Sequence, residues 1–390
     1  MRKFGPILSI ILLLGIGYAV YLSVAEKMET SRKVQVKGLI GSEKAPFFHD
    51  ERVIEVFAKN GLEVEAIKAG SRQIATSFNL SEYDFAFPAG VPAAEKIRRE
   101  HKTHGSFAPF FTPMAIATWK TLGEILVNND LAREKDGYYF LNMEAFMKEM
   151  EEEKRWKELY ESQDYSVNKS ILVNTTDVRK SNSAAMYLSL CSYVANGNEI
   201  VQNEDQVEAI MSLMQTIFMR QGFVEYSSQV PFEDYKVMGM GKSPMVMIYE
   251  AQFIWSAAQP TGGITDKMVL MYPEPSIFSK HTLVPLSEGG KKLGELLSND
   301  PELQKLAVEY GFRNNNTQYF NDFIKQNNIK VPDMLVNVIE PPSYEILERM
   351  ITTIEAAYAG TQTPADQRLP SDETSRRSGV RGTNTTHGGH

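Results

Sequence analysis

A single cysteine, Cys191, stands in 390 residues, so no disulfide can form within the chain. It lies in the apolar run Leu188-Ser189-Leu190-Cys191 and reads as a small buried residue. The low count leaves an extracellular location open. Positive charge is also scarce: 41 Lys and Arg against 49 Asp and Glu give a net charge of −8. That argues against bulk nucleic-acid binding, and no nucleic-acid partner is expected. The G-x-S-x-G elbow, the H-E-x-x-H helix, the C-x-x-C pair and the Walker loop are all missing. Gly239-Met240-Gly241-Lys242-Ser243 lacks the first glycine of a phosphate loop. The six histidines (His49, His101, His104, His281, His387 and His390) are scattered and form no metal-ligand pattern. The expectation is a binding protein, not an enzyme, with no cofactor and no metal.

What is present is a globular composition, 43% hydrophobic and 23% charged, in a chain long enough for two ordinary domains. Arg2 and Lys3 precede an uncharged run from Phe4 to Ala25. Two readings compete for residues 1–30. Ser23-Val24-Ala25 suits cleavage of a signal peptide, whereas about 20 apolar residues suffice for an uncleaved transmembrane anchor. No cysteine follows the run, so a lipid anchor is excluded. Either reading puts the body on the extracytoplasmic side, tethered by a single pass or secreted. From Gly360 to His390 the chain is polar and reads as a disordered tail.

Ser31 to about Thr112 alternates strands and helices. Strands are predicted at Val34 to Ile40, Leu62 to Ala69 and Tyr83 to Phe87, and Asp50 is placed to cap a helix from Glu51 to Lys59. This β-α-β-α-β order predicts a parallel sheet, with ligands beyond the carboxyl ends of its strands. Those ends carry Ser42, Ser71, Arg72 and Pro88-Ala89-Gly90. Further helices are expected at Leu122 to Asn128, Met143 to Tyr160, Gln206 to Arg220, Ala251 to Ala258, Gly289 to Ser298, from Pro301 to Tyr310, and at Tyr344 to Ala359. A second β-α unit is read at Met245 to Glu250, and Met268 to Tyr272 as a strand that continues extended to Pro285.

The segment Thr175 to Tyr187 is the most informative. The strand-like run Ile171-Leu172-Val173 leads in, a helical run leads out, and between them lie hydroxyls, Asp177, Arg179, Lys180 and Asn182. Free N–H groups at a helix start carry partial positive charge, so such a loop suits an anion or a polar ligand. Ser181, Asn182 and Ser183 are equally good N-caps. Capping needs one of them, not the Arg-Lys pair, and the two roles can coexist.

Several stretches in order resemble one family: Gly41-Ser42-Glu43-Lys44, Gly70-Ser71-Arg72, Arg179 to Asn182, and Tyr310-Gly311-Phe312-Arg313. They are similar to bacterial extracellular solute-binding proteins with a type II periplasmic-binding-protein-like fold, of the branch that includes molybdate, sulfate and iron receptors. Ser243 to Gln252 and Met271-Tyr272-Pro273-Glu274-Pro275 resemble solute-binding domains attached to von Willebrand A domains. The chain departs from such relatives in having no D-x-S-x-S metal motif and no lipobox.

The resemblance implies two α/β lobes, each a mostly parallel sheet flanked by helices, with two hinge crossings. It places 31–114 and 282–359 in a discontinuous N-terminal lobe and 115–281 in the C-terminal lobe. The ligand would lie in the cleft between them. The residues expected to hold it are Ser42, Lys44, Ser71, Arg72 and Gly90 from the first lobe. From the second they are Thr176, Asp177, Ser181, Asn182, Ser183, Glu250 and Tyr272. Glu250 reads equally as a helix-start acid favoured by the dipole, and Arg72 and Arg179 as structural ion-pair partners. Hydroxyls and backbone donors suit an oxyanion; Asp177 and Glu250 suit an amine or a sugar. The expected function is capture of a small polar ligand for an ABC-type importer. The alternative is a receptor-fold interaction module of a surface or stress-response complex.

Overall fold

The computed structural model describes residues 16, 18, 33–103, 105–221 and 225–361. The expected anchor or signal segment lies outside them, apart from those two positions, and so does the polar tail beyond 361. Among the described residues no helix is long and apolar enough to cross a membrane.

Ten strands form a mixed sheet: β1 (Val34–Ile40), β2 (Leu62–Lys68), β3 (Phe85–Phe87), β4 (Phe107–Trp119), β5 (Ala132–Lys135), β6 (Tyr138–Asn142), β7 (Val246–Tyr249), β8 (Met268–Glu274), β9 (Ser276–Pro285) and β10 (Val338–Ile339). Their order is β2-β1-β3-β9-β4-β8-β6-β5, with β7 on β4 and β10 on β9. β1, β2 and β3 run parallel, as the alternating pattern predicts. β9 lies between β3 and β4 and is antiparallel to both, so the sheet is mixed at that point.

β4 divides the molecule. Its first half, to Pro113, pairs with β9, and its second half, from Met114, pairs with β7 and β8. Each half of the sheet is covered on both faces, so its strands read as near-continuous apolar runs and neighbouring residues serve opposite cores. In the first lobe Ile40, Phe85, Phe87 and Leu283 enter one core, while Leu39, Ala86 and Val284 enter the other. In the second, Met114, Ile116, Met247 and Met271 face one core and Ala115, Ala117, Ile248 and Leu270 the opposite one.

The helices that matter for the site follow in chain order. α1 (Ala45–Phe48) directly continues a 3-10 turn at Ser42–Lys44. α2 (Glu51–Lys59) is capped by Asp50, whose side chain accepts from the Arg52 N–H. α3 (Ser71–Thr76), α4 (Val91–Glu100) and α5 (Lys120–Asn128) follow their strands. α6 covers Met143–Glu151 only; the expected extension to Tyr160 is cut by Glu153 at φ 58°. The Lys154 and Glu153 N–H groups bond back to the Glu149 and Met150 carbonyls, a Schellman stop made without glycine.

Next come α7 (Asn182–Ala195), α8 (Glu204–Met219), α9 (Gln229–Met238), α10 (Glu250–Ala258), α11 (Glu288–Asn299), α12 (Pro301–Glu309), α13 (Thr317–Gln326) and α14 (Tyr344–Thr361). Ile171 and Val173 are buried, but the run is not a strand; a single parallel bridge, Asn174 to Val246, ties it to the sheet.

α14 bridges the two lobes. Leu347, Met350, Ile351 and Ile354 enter the larger core of the second lobe, and each such buried side chain contributes about 1.5–3 kcal/mol. The same helix reaches α4 of the first lobe, where Arg99 donates to Glu345 and Lys96 lies 5.5 Å from the Tyr344 ring centre.

Candidate functional site

The strand ends and helix starts expected to line a cleft do converge, but most of them touch one another. A Cβ built on Gly90 would lie 2.3 Å from Asn182 Oδ1, and one on Gly70 would lie 2.3 Å from the Lys180 carbonyl oxygen. Both glycines thus allow the lobes to meet directly. The Asn182 amide donates to Tyr249 Oη at 3.2 Å and to Ser279 Oγ at 3.4 Å. The Ser71 hydroxyl accepts from the Ala89 N–H at 2.8 Å. Thr176, Ser183 and Ser181 share a closed chain of hydroxyl contacts at 2.7 and 3.1 Å. Ser181 is the N-cap of α7 by position, yet its side chain makes no capping bond. Asp177 accepts from the backbone and guanidinium of Arg179.

Arg72 is an interlobe fastener. It donates to Glu348 in α14 and to the Arg179 carbonyl oxygen. Ser71, Arg72, Ser181 and Asn182 border only a hollow of about 30 Å³ beneath Tyr344 and Leu347. That is room for about two water molecules.

Glu250 and Tyr272 must be corrected: they do not face the cleft. Both are fully buried, and Arg313 forks onto both Glu250 oxygens at 2.7 and 2.8 Å while Tyr272 donates to the same carboxylate at 2.6 Å. The remaining Arg313 donors meet the Asp333 and Pro332 carbonyls. The pair is closed off from the cleft, and its charge is compensated inside the protein.

Lys44 is also fully buried. Its ammonium donates to Glu43 and to His281 Nδ1 at 3.0 Å, and sits 4.7 Å from the Phe87 ring centre. Burial would raise the Glu43 pKa, but the Lys44 ammonium and the His281 contact prevail and hold it at about 2. Burial, aided by Lys44, pushes His281 down to about 4. The His281 Nδ1 lies between the Lys44 ammonium at 3.0 Å and Glu43 Oε1 at 3.3 Å, and its Nε2 is buried without a partner among the described residues.

The open part of the interface is a groove of about 440 Å³ with walls from both lobes. Ser42, Glu43, His49 and Lys68 come from the first lobe, and Ser227, Gln229, Glu233 and Gln252 from the second. The Ser42 and Ser227 hydroxyls share a hydrogen bond of 3.0 Å across it. Gln252 donates to Gln229, which donates to Glu233, so the second wall is internally braced. Trp255 and Tyr310 stack at 5.9 Å along the groove. Of the residues expected to bind, Ser42 alone lines it. The others were not assigned to the site from sequence, although Glu43, Ala251, Gln252 and Tyr310 lie in stretches that carry the resemblance.

Among the described residues no cluster of three or more His, Cys, Asp or Glu is placed to hold a metal ion. No protein-family model matches the chain, and no curated protein matches it. Solved structures are similar to it at low identity. The sulfate-binding protein SubI from Mycobacterium tuberculosis is 13% identical, with a TM-score of 0.46 over 81% of this chain and 96% of that one. A putative spermidine/putrescine ABC transporter from Listeria monocytogenes is 11% identical, with a TM-score of 0.48 over 83% and 99%. The OxyR C206 mutant of Corynebacterium glutamicum is 10% identical, with a TM-score of 0.43 over 85% and 79%.

Proposed function

We propose that the protein is a solute-binding protein that takes a small ligand in the groove between its lobes and is held on the extracytoplasmic side by its N-terminal segment, in the service of an ABC-type importer. The observation that carries this reading is the groove itself. Its walls belong to two lobes joined through β4 and β9, so a ligand touching both walls favours the closed form. A bound solute then raises the melting temperature in proportion to the logarithm of its concentration. Thermal-shift measurements on the purified chain with oxyanions, amines, sugars and organic acids test it; a melting temperature unmoved by every class counts against ligand capture.

One observation favours a second reading, an interaction module without transport. The centre of the interface is filled by Asn182, Lys44 and Glu43 of the chain itself, and α14 fastens both lobes. A partner retained by the surface of the closed form, with no solute response, supports that alternative.

A further inference from the structure

The groove is distinguished by which of its polar groups have no internal partner. Its acids are neutralised: Glu43 by Lys44, and Glu233 by Lys236 at 2.9 Å. Lys68, the last residue of β2, lines the groove and has no hydrogen-bond or ion-pair partner among the described residues. The indole N–H of Trp255 has none among them either. The groove therefore offers an uncompensated ammonium at Lys68 and a free indole N–H, beside His49 Nε2, also without a partner among the described residues, and the Ser42–Ser227 hydroxyl pair.

One side of the groove is aromatic and apolar. The Trp255 and Tyr310 rings lie 17° from parallel, and Ala45, Pro46 and Ala251 extend the surface. The Tyr310 ring is fixed before any ligand arrives. Its hydroxyl donates to Asp50 Oδ2 at 2.8 Å, Arg52 grips the same carboxylate, and the edge of Phe47 meets the ring at 88°. A preorganised aromatic wall lowers the entropic cost of binding a flat ligand.

A bare tetrahedral oxyanion needs several converging donors, and an ammonium needs an unpaired acid; the groove provides neither set. We infer, on the basis of the solute-binding reading, that the ligand is an organic acid with a planar ring, its carboxylate on Lys68 and its ring against the Trp255–Tyr310 wall. A volume of about 440 Å³ admits a molecule of that size.

Calorimetric titration of the full chain with benzoate, nicotinate and indole-3-acetate, beside sulfate, molybdate, spermidine and glucose, tests this. At least one aromatic acid is expected to bind. Lys68→Gln and Trp255→Ala should each weaken it at least tenfold, with Lys68→Arg close to native and circular dichroism unchanged in all three. Binding of only the other four probes overturns the inference and leaves the solute-binding reading standing. Aromatic-acid binding that ignores both the Lys68→Gln and Trp255→Ala variants overturns it as well. Silence from every probe defeats both readings together.

Discussion

The Arg72 guanidinium grips Glu348 through Nε at 3.0 and 3.1 Å, joining the first helix turn after β2 to the last described helix, 276 residues away in sequence. Both side chains are only 23% exposed, so the pair is better shielded than a surface ion pair. Arg72→Met should cost about 1–2 kcal/mol. Amide exchange should accelerate selectively along α14 and α4. Uniform acceleration across both lobes would show that the contact supports the fold at large and does not act as an interlobe fastener.

Acid should destabilise the protein through His281. In the unfolded chain this histidine takes up a proton near 6.5, but in the folded chain only near 4. Between those values the unfolded state binds more protons, so stability is full above 6.5 and falls as pH drops through the window. The loss is on the order of 3 kcal/mol. Glu43, held at about 2 against an ordinary 4.5, adds a further loss below 4.5. His281→Asn keeps an acceptor for Lys44 but cannot titrate. Urea midpoints between pH 6.5 and 4.5 should therefore flatten in that variant; an unchanged slope would assign the effect to other groups.

Gly70 stands at φ −68°, where alanine is comfortable, so close approach alone explains the need for glycine. Its added methyl would collide with the Lys180 carbonyl, a backbone atom with little room to yield. Gly70→Ala should cost about 1–3 kcal/mol and enlarge the radius of gyration in solution scattering. A compact, fully stable variant would mean that the loop holding Lys180 moves freely.

Removing one partner of the Glu250–Arg313 pair should be severe. Arg313→Met leaves a fully buried carboxylate with Tyr272 as its remaining donor, at a cost of about 3–5 kcal/mol. Adding Glu250→Leu should restore only part of it, because the Pro332 and Asp333 carbonyls still lack the guanidinium. Complete restoration in chemical unfolding would show that those carbonyls find other donors.

The alternation of apolar residues and the turn chemistry were legible in the chain. Ile40 beside Leu39, Asp50 before its helix and the glycines at the strand ends each state a local preference that the fold keeps. Contacts between distant segments left no such trace. His281 lies 237 residues from Lys44, and nothing near Ser279 to Leu283 announces a partner for a buried ammonium. Lys44 was expected to hold a ligand, and its place before the apolar segment Ala45-Pro46-Phe47-Phe48 did not announce that its ammonium would be buried on Glu43 and His281. The stop after Glu151 was illegible because a glutamate takes the left-handed position that glycine usually fills. Hydroxyl-rich Thr176 to Ser183 looked like a ligand loop, yet its groups satisfy one another, since a polar cluster that leaves water must find internal partners.

The placement of α14 makes the lobe interface unequal along its length. At one side a whole helix joins the lobes through apolar contacts and three ion pairs, Arg72–Glu348, Arg99–Glu345 and Arg349–Glu204. At the groove, a side-chain hydrogen bond across the gap is the Ser42–Ser227 hydroxyl pair, worth about 1 kcal/mol, beside the Trp255–Tyr310 stack. On the solute-binding reading proposed above, the molecule would open as a door does, swinging on its fastened jamb and released at the groove. The serine latch would lie among the groups a ligand touches, so one solute molecule, by displacing or bridging two hydroxyls, would bias whether the door is shut.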